Sequence, residues 1–290
     1  MLIAFDIGGS RIKAAGVTGG QILPLGAVDT PVERFDDFVA AMAGFTTGAR
    51  AVAISIAGVV APETGRLTVA NIPCLNGLRV AEALRAALGL PVIVLNDADC
   101  FALAEARRGA GRGHASVFGI ILGTGVGGGL VIDGRLVTGT GGFAGEWGHG
   151  PIVCHPALPC GCGQTGCLDT VGGAKGMERL HLALSGEALK SREIVSDRPE
   201  TLAAWLDIVS GPLALVLNVV GASVVPVGGG LGNDRALVAR LDRAVRDKVL
   251  RRCDAPLVVP AECGADAGMI GAAEAGMAEF GAAFGGDDAA

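Results

Sequence analysis

The sequence predicts an α/β protein made of two similar lobes with a central cleft between them. Segments typical of strands alternate with segments typical of helices along the 290 residues, which is the pattern of an α/β fold. A short apolar strand, a glycine-rich turn and a second apolar strand occur together twice, at the N-terminus and near the middle of the chain. The chain is also long enough for two cores, because a single core stops growing at roughly 250 to 300 residues.

The first half of the chain opens with a strand pair and continues with helices and strands in alternation. Two apolar runs lie at hairpin distance around a pair of glycines, and Gly89 and Pro91 end the second helix. The expected elements are strands over 2–7, 12–17, 51–57 and 92–95 and helices over 31–48 and 78–88.

The second half begins with the same pattern, and Asp133-Gly134 predicts a hairpin at its end. The expected elements are strands over 117–122, 128–132, 223–227 and 257–259, helices over 199–220 and 233–250, and a final alanine-rich helix. The last residues, GGDDAA, are expected to fray. We therefore expect a small lobe over 1–114, joined by part of the C-terminal helix at about 274–285, and a large lobe over 115–273.

Composition and charge exclude several classes of partner. Half of the residues are apolar and only 4% are aromatic, so Val, Ile, Leu and Ala must fill the interior. A formal net charge of −6 argues against binding to nucleic acid or to an anionic membrane. The N-terminus lacks the basic stretch and long apolar run of a signal peptide, and no uninterrupted apolar stretch reaches about 20 residues. We expect a cytoplasmic protein that binds neither nucleic acid nor membrane.

Two glycine-rich turns are candidates for binding phosphate. The first consists of Asp6, Gly8, Gly9 and Ser10 at the end of the first strand. Glycines let backbone N–H groups approach a phosphate, and a carboxylate at a strand end can hold Mg²⁺ directly or through water. The alternative is an ordinary tight hairpin. The second turn lies between two apolar strands and consists of Gly123, Thr124 and Gly125.

A third glycine-rich segment follows a buried strand and precedes a helix. Gly229 and Gly230 belong to this segment, Val225 to Gly230, which suits the packing of a flat adenine against backbone. The alternative for it is a crossover turn. Taken together, the three segments have the order of two phosphate loops and an adenosine loop in the sugar kinase, actin and Hsp70 nucleotide-binding fold, which is ribonuclease H-like.

A polar cluster follows the strand expected over 92–95. Asn96, Asp97 and Asp99 lie at the carboxyl end of that strand, where α/β proteins bind ligands. Asp97 is the candidate general base. The alternative is a helix N-cap, for which Asn and Asp are favoured. We assign Asp97 to catalysis and leave capping or ligand contact to Asn96 or Asp99.

One histidine and three cysteines have the composition of a tetrahedral zinc site. The four residues are His149, Cys160, Cys162 and Cys167, in a loop over 146–169 whose glycines permit tight turns. Competing ligands inside the same loop are Cys154 and His155. The remaining cysteines are expected to be small buried side chains, and these are Cys74, Cys100, Cys253 and Cys263.

The motifs resemble, in order and over nearly the whole chain, those of the ROK family (repressor, open reading frame, kinase). They are DIGGS, NIPCLNG (71–77), LNDADCFALAE (95–105), ILGTGVGGGLVIDG (121–134), GGFAGEWGHGPI (141–152), CGCGQTGC (160–167) and VGGGLG (227–232). The resemblance implies a two-lobed fold, ATP with Mg²⁺ as phosphoryl donor, a hexose or N-acetylhexosamine acceptor, a structural Zn²⁺ and a homodimer.

The resemblance also assigns roles to individual residues. It makes Asp97 the base that accepts the proton of a sugar hydroxyl, and it places Gly58, Asn76 and Asn96 around the sugar. Glu146 and His149 match the pair that bonds sugar hydroxyls, and His149 uses its other ring nitrogen for zinc. Such double use has a physical reason, since zinc fixes the tautomer and the ring angle.

Two departures from the family pattern leave the acceptor open. After the last zinc cysteine the family usually has Glu, which reaches the anomeric side of the sugar, whereas this chain has the shorter Asp169. The loop after Gly58 reads VVAPETG and lacks the proline of the family's G-x-P-G pattern. Contacts around C2 of the sugar are therefore also expected to differ.

The acceptor candidates are N-acetylglucosamine, glucose, N-acetylmannosamine and fructose, and analogy favours the 6-hydroxyl of N-acetylglucosamine. A sugar-responsive repressor of the same family is disfavoured because the first phosphate motif starts at Asp6, without room for a helix-turn-helix domain before it. A non-catalytic sugar-sensing protein is expected to lack Asp97 or a phosphate loop, and this chain has both.

Overall fold

The computed structural model describes residues 1–284, so the segment GGDDAA lies outside the described residues. The strands are β1 Leu2–Ile7, β2 Arg11–Thr18, β3 Gln21–Asp29, β4 Ala51–Ile56, β5 Val59–Val60, β6 Leu67–Thr68, β7 Val92–Asn96, β8 Ser116–Leu122, β9 Val126–Ile132, β10 Arg135–Val137, β11 Val225–Gly228 and β12 Val258–Pro260. The α-helices are α1 Phe35–Ala43, α2 Val80–Leu88, α3 Asp97–Arg108, α4 Asp169–Gly172, α5 Ala174–Ser185, α6 Ser191–Asp197, α7 Pro199–Val220, α8 Gly229–Gly232, α9 Arg235–Arg246 and α10 Ala267–Phe284.

The chain divides into two compact units. The first comprises Met1–Ala104, Thr138–Ala144 and the chain from Ala265 onward, and the second comprises Glu105–Val137 and Gly145–Gly264. The functional lobe boundaries expected from the sequence stay a prediction, and Gly285, at the end of the expected range 274–285, lies outside the described residues.

Both units contain a five-stranded sheet with the same topology. The strand order is β3-β2-β1-β4-β7 in the first unit and β10-β9-β8-β11-β12 in the second. In each sheet the central strand pairs antiparallel with the strand that follows it in the chain and parallel with a later one. The repeated strand-turn-strand pattern in the sequence is therefore a repeat of sheet topology, and the mixed α/β fold is confirmed.

Both faces of the first sheet are buried, and the side chains of the sheet are large on one face and mostly small on the other. On one face the large side chains of β1, such as Phe5, join a core with residues of α1 and α2. On the other face the small residues of β1 and β4 contact α10. A Cβ atom added at Gly276 of α10 would lie 2.7 Å from the Cβ of Ala53, so the glycine permits this close approach. The alanine and glycine content of α10 thus lets the helix pack directly on the sheet.

The long helix α7 is the central element of the second core. Leu202, Trp205, Val209 and Leu213 recur on one side of the helix and are fully buried. The indole Nε1 of Trp205 donates a hydrogen bond to the carbonyl oxygen of Gly172 at 3.1 Å. Within residues 1–284, α7 is the helix long and apolar enough to cross a membrane by length and composition. Its buried face makes it a core helix of this unit.

Several elements differ from the sequence prediction. The helix expected over 31–48 is shorter because Arg34 is extended and Gly44 follows its last residue. Asp234 caps α9 by accepting hydrogen bonds from two backbone N–H groups, so that helix begins at Arg235 and not at 233. Strand β3 was not predicted from the sequence, and its residues are mostly exposed and include Pro24. Helices α5 and α6 were not predicted either.

Candidate active site

The first glycine turn connects β1 to β2 and places a carboxylate beside an amine. Asp6 and Lys13 are directly opposite each other in the antiparallel pair, and Lys13 Nζ lies 3.9 Å from Asp6 Oδ2. Burial raises the pKa of Asp6, and the Lys13 cation partly opposes that rise. Gly8 N donates to the carbonyl oxygen of Arg11 at 3.0 Å, which closes the turn. A Cβ atom at Gly9 would lie 2.9 Å from the side-chain nitrogen of Asn71.

The second and third glycine segments meet in the second unit. Gly229 has φ +81°, and a Cβ atom added there would lie 2.6 Å from the backbone nitrogen of Gly123. The turn over Gly123–Gly125 is closed by a hydrogen bond from Gly123 N to Gly125 O at 3.0 Å. Two segments far apart in sequence, each predicted to bind part of one nucleotide, are therefore in van der Waals contact.

We expect Gly229→Ala to destabilise the protein more than the matched variant Gly221→Ala. Both glycines have positive φ, but a Cβ atom at Gly221 would meet no neighbour. The backbone strain alone should cost about 1 kcal/mol. Overlap with the backbone of Leu122 and Gly123 should raise the cost at residue 229 to at least about 3 kcal/mol. Denaturant unfolding of both variants measures the difference, and equal losses would contradict the close approach.

A cavity of about 510 Å³ opens beside the third glycine segment. Its lining includes Ala174, Ser191, Arg192, Gly230, Asn233 and Asp234. The volume lies within the range of roughly 300 to 1,000 Å³ that is usual for small-molecule pockets. The contribution of α6 could not be predicted from the sequence, because this short helix carries no motif of its own.

The predicted residues of the first unit are linked by hydrogen bonds. Asn96 Oδ1 accepts from Ala98 N at 2.8 Å, and Asn96 Nδ2 donates to Gly58 O at 2.8 Å. Asn76 Oδ1 accepts from Val69 N at 3.1 Å, and a Cβ atom at Gly58 would lie 3.1 Å from Val69 Cβ. Gly58 thus lies between Asn96, which bonds its carbonyl oxygen, and Val69, which bonds Asn76.

Asn96 is the residue that caps α3. Its side-chain oxygen lies within hydrogen-bonding distance of Ala98 N and, at 3.4 Å, of Asp99 N. Of the two capping candidates that the sequence left open, the structure places Asn96 in that position. Asp97 is consequently the first residue of the helix, with Oδ1 3.0 Å from Ala98 N, and it is half-buried.

Glu146 and His149 form a pair in the second unit. His149 Nε2 lies 3.8 Å from Glu146 Oε2, and both side chains are about one-third exposed. Burial raises the pKa of Glu146, while His149 opposes and Asp169 adds to that rise. The Nδ1 atom of His149 is directed elsewhere, to 3.7 Å from Cys160 Sγ.

Four candidate metal ligands converge in the same unit. One ligand atom from each of His149, Cys160, Cys162 and Cys167 lies within 4.8 Å of all the others. Cys162 Sγ and Cys167 Sγ are 3.6 Å apart, and Cys160 Sγ and His149 Nδ1 are 3.7 Å apart. A tetrahedral zinc ion with ordinary bond lengths would require about 3.8 Å between two sulfurs and about 3.6 Å between sulfur and nitrogen. The arrangement of the four atoms therefore fits such an ion.

The other cysteines and the second loop histidine lie outside this cluster. Cys154 and His155 are exposed and are not among the four converging ligands. Cys100 is fully buried, as expected. The expectation of burial is wrong for Cys74, Cys253 and Cys263, which are only partly buried. Cys74 lies in a short 3-10 helix, and Cys253 and Cys263 lie in loops, where burial is less complete.

Comparison with known proteins assigns the chain to a family. The model of the ROK family matches residues 2–276. The chain is 33% identical to N-acetylgalactosamine kinase AgaK of Shewanella sp. (strain ANA-3), with 94% of this chain and 96% of that protein covered. It is 32% identical to N-acetyl-D-glucosamine kinase of Pasteurella multocida (strain Pm70), with 94% and 98% covered. Among solved structures, the ROK hexokinase from Thermus thermophilus matches with a TM-score of 0.86 and 27% identity, covering 97% of this chain and 99% of that one.

This chain belongs to the ROK family. It has the actin-like fold of ROK sugar kinases and is an ATP-dependent sugar phosphotransferase. Its substrates are a sugar and ATP, and its kinase relatives imply a divalent metal as cofactor.

Proposed function

We propose that this protein transfers the γ-phosphoryl group of ATP to the 6-hydroxyl of an N-acetylhexosamine, with N-acetylglucosamine as the first candidate. The names of the relatives in Shewanella and Pasteurella support an N-acetylhexosamine acceptor. These two names differ in the configuration of the sugar at C4, so the epimer is decided by experiment. Glucose, N-acetylmannosamine and fructose are the further candidates.

The observation that carries this proposal is that Asn96 and Asp97 have different roles at the start of α3. Asn96 uses its side-chain oxygen to cap the helix and its amide to bond Gly58. The neighbouring carboxylate of Asp97 is then the candidate base for a sugar hydroxyl. In a loose phosphoryl-transfer transition state the hydroxyl proton leaves late, so the orientation of this carboxylate matters more than its basicity.

The remaining assignments follow the chemistry of each group. Gly58, Asn76 and Asn96 are assigned to the sugar together with Glu146 and His149, whose hydrogen-bonding atoms suit hydroxyl groups. The turns formed by Gly8, Gly9 and Ser10 and by Gly123, Thr124 and Gly125 are assigned to phosphate. The N–H groups of Gly8 and Gly123 close these turns, so the N–H groups of the other four residues are the assigned donors. Gly229 and Gly230 are assigned to adenosine, and the cavity next to Gly230 has room for it. Asp6 is the assigned carboxylate for magnesium, whose charge would offset that of the phosphates.

The four converging ligands are assigned to one structural zinc ion. His149 would bind it through Nδ1, which leaves Nε2 beside Glu146 and available to a sugar hydroxyl. The ion would cross-link the loop over 146–169 and hold the histidine ring at one angle. A homodimer and a cytoplasmic location complete the proposal. Light scattering on purified protein at several concentrations tests the first of these.

A panel assay tests the proposed activity. Purified protein is incubated with ATP, magnesium and each of N-acetylglucosamine, N-acetylgalactosamine, N-acetylmannosamine, glucose and fructose, and ADP release is followed by a coupled reaction. We expect the highest kcat/KM with N-acetylglucosamine, and phosphorus NMR of the product should place the phosphate on the 6-oxygen. The Asp97→Asn protein, prepared identically, measures contaminating kinase activity. Sugar binding without turnover on any acceptor would overturn the proposal in favour of a sensor.

A further inference from the structure

Asp169 lies in the position where family resemblance predicted a sugar contact, but its carboxylate bonds the second glycine turn. Its Oδ1 atom accepts a hydrogen bond from the backbone nitrogen of Val126 at 2.8 Å. Val126 is the first residue of β9 and directly follows the turn over Gly123–Gly125. The two residues are 43 positions apart in the chain, so this contact depends on the tertiary fold of the second unit.

The glycine at residue 125 leaves space for this carboxylate. A Cβ atom added at Gly125 would overlap Asp169 Oδ1. The φ angle of Gly125 is not in the left-handed region, so its backbone conformation does not itself demand glycine. Glycine is required at residue 125 because the carboxylate of Asp169 approaches so closely.

Backbone hydrogen bonds hold the short helix α4 at its first residue and just beyond its last residue. Asp169 N donates to the carbonyl oxygen of Gly148 at 2.8 Å, and Ala174 N, just beyond the helix, donates to Gly123 O at 2.7 Å. The second carboxylate oxygen of Asp169 lies 4.0 Å from Cys160 Sγ. The position of the Asp169 side chain is therefore fixed by its own backbone, and its Oδ1 atom is hydrogen-bonded at the end of the turn.

From these contacts we infer that Asp169 is a positioning residue for ATP, which fixes the second glycine turn. A carboxylate accepting a backbone N–H makes a charge-assisted hydrogen bond, which is among the stronger kinds in proteins. It holds the turn, and with it the N–H groups of Thr124 and Gly125, in one arrangement before a phosphate arrives. The inference rests on the proposed function and adds a role for this carboxylate in nucleotide binding.

The test is a comparison of Michaelis constants in Asp169→Ala, Asp169→Asn and Gly125→Ala. We expect Asp169→Ala to raise the KM for ATP by about 10- to 100-fold, the range that follows from loss of one charge-assisted bond. Asp169→Asn keeps an acceptor oxygen and should recover most of the affinity for ATP. Gly125→Ala displaces the same carboxylate from the other side and should reproduce the effect of Asp169→Ala.

Calorimetric binding of the non-hydrolysable analogue AMPPNP provides a second readout that does not need turnover. We expect its affinity to fall in parallel with the KM for ATP, while zinc content and Tm of Gly125→Ala stay close to those of the wild type. An unchanged KM for ATP in Asp169→Ala would overturn the inference, as would a Gly125→Ala protein with normal ATP affinity. Absence of turnover in the wild type on every sugar would instead contradict the proposed function, and AMPPNP binding would still decide the role of Asp169.

Discussion

Asp97→Asn is expected to lower kcat by at least about 100-fold while sugar affinity changes far less. The asparagine amide keeps the shape of the side chain and can replace most of the carboxylate's ground-state hydrogen bonds, including the one to Ala98 N. It cannot accept the proton of the attacking hydroxyl. Loss of a general base commonly costs on the order of 10² to 10⁴ in rate, or roughly 3 to 5 kcal/mol of barrier. Turnover and calorimetric sugar binding on the same preparation measure the two effects.

Asp36→Asn is a matched control for this variant. Asp36 also lies in the first turn of a helix, its side chain is 87% exposed, and the substitution makes the same change in charge. We expect wild-type kinetics from this control. Near wild-type turnover in Asp97→Asn would show that the base is elsewhere, and an equal loss of sugar binding would indicate a binding residue.

Cys160→Ser is expected to reduce the zinc content from about one equivalent per chain and to destabilise the second unit. The site cannot exist in the unfolded chain, so the free energy of metal binding adds to the free energy of folding. Structural zinc contributes about 10 to 16 kcal/mol in small zinc peptides, and we expect a loss of at least about 3 kcal/mol here. For a domain of this size that corresponds to a fall in Tm of roughly 6 to 12 °C.

Cys154→Ser is the control for the zinc prediction. Cys154 lies in the same loop and is exposed outside the four-ligand cluster, so its loss removes a thiol without removing a ligand. Metal analysis by mass spectrometry and thermal unfolding should give wild-type values for this variant. A wild-type protein that contains no zinc, or a Cys160→Ser protein with unchanged Tm, would show that the cluster does not hold a structural ion.

Elements with strong local signals could be predicted from the sequence. Helix α7 begins at Pro199 and ends at Val220, as expected, because proline suits the first turn of a helix and Gly221 adopts the left-handed conformation that follows its end. Strand β1 was likewise predicted at its observed bounds, since five of its six residues are apolar and a glycine turn follows it. Strand β3 was not predicted because it is an exposed edge strand, on which no buried face imposes an alternation of apolar and polar residues.

The sequence by itself determined the family, the α/β class with its repeated opening, and the residue types of the metal cluster, because each depends on local order or on ligand spacing along a single loop. Only the tertiary structure decided that Asn96 caps α3, that Gly229 contacts Gly123, and that Asp169 bonds Val126. The reason is physical. A side chain finds its partner through the order of strands in a sheet and the path of the loops, and a shift of one register step would direct the same carboxylate to a different atom.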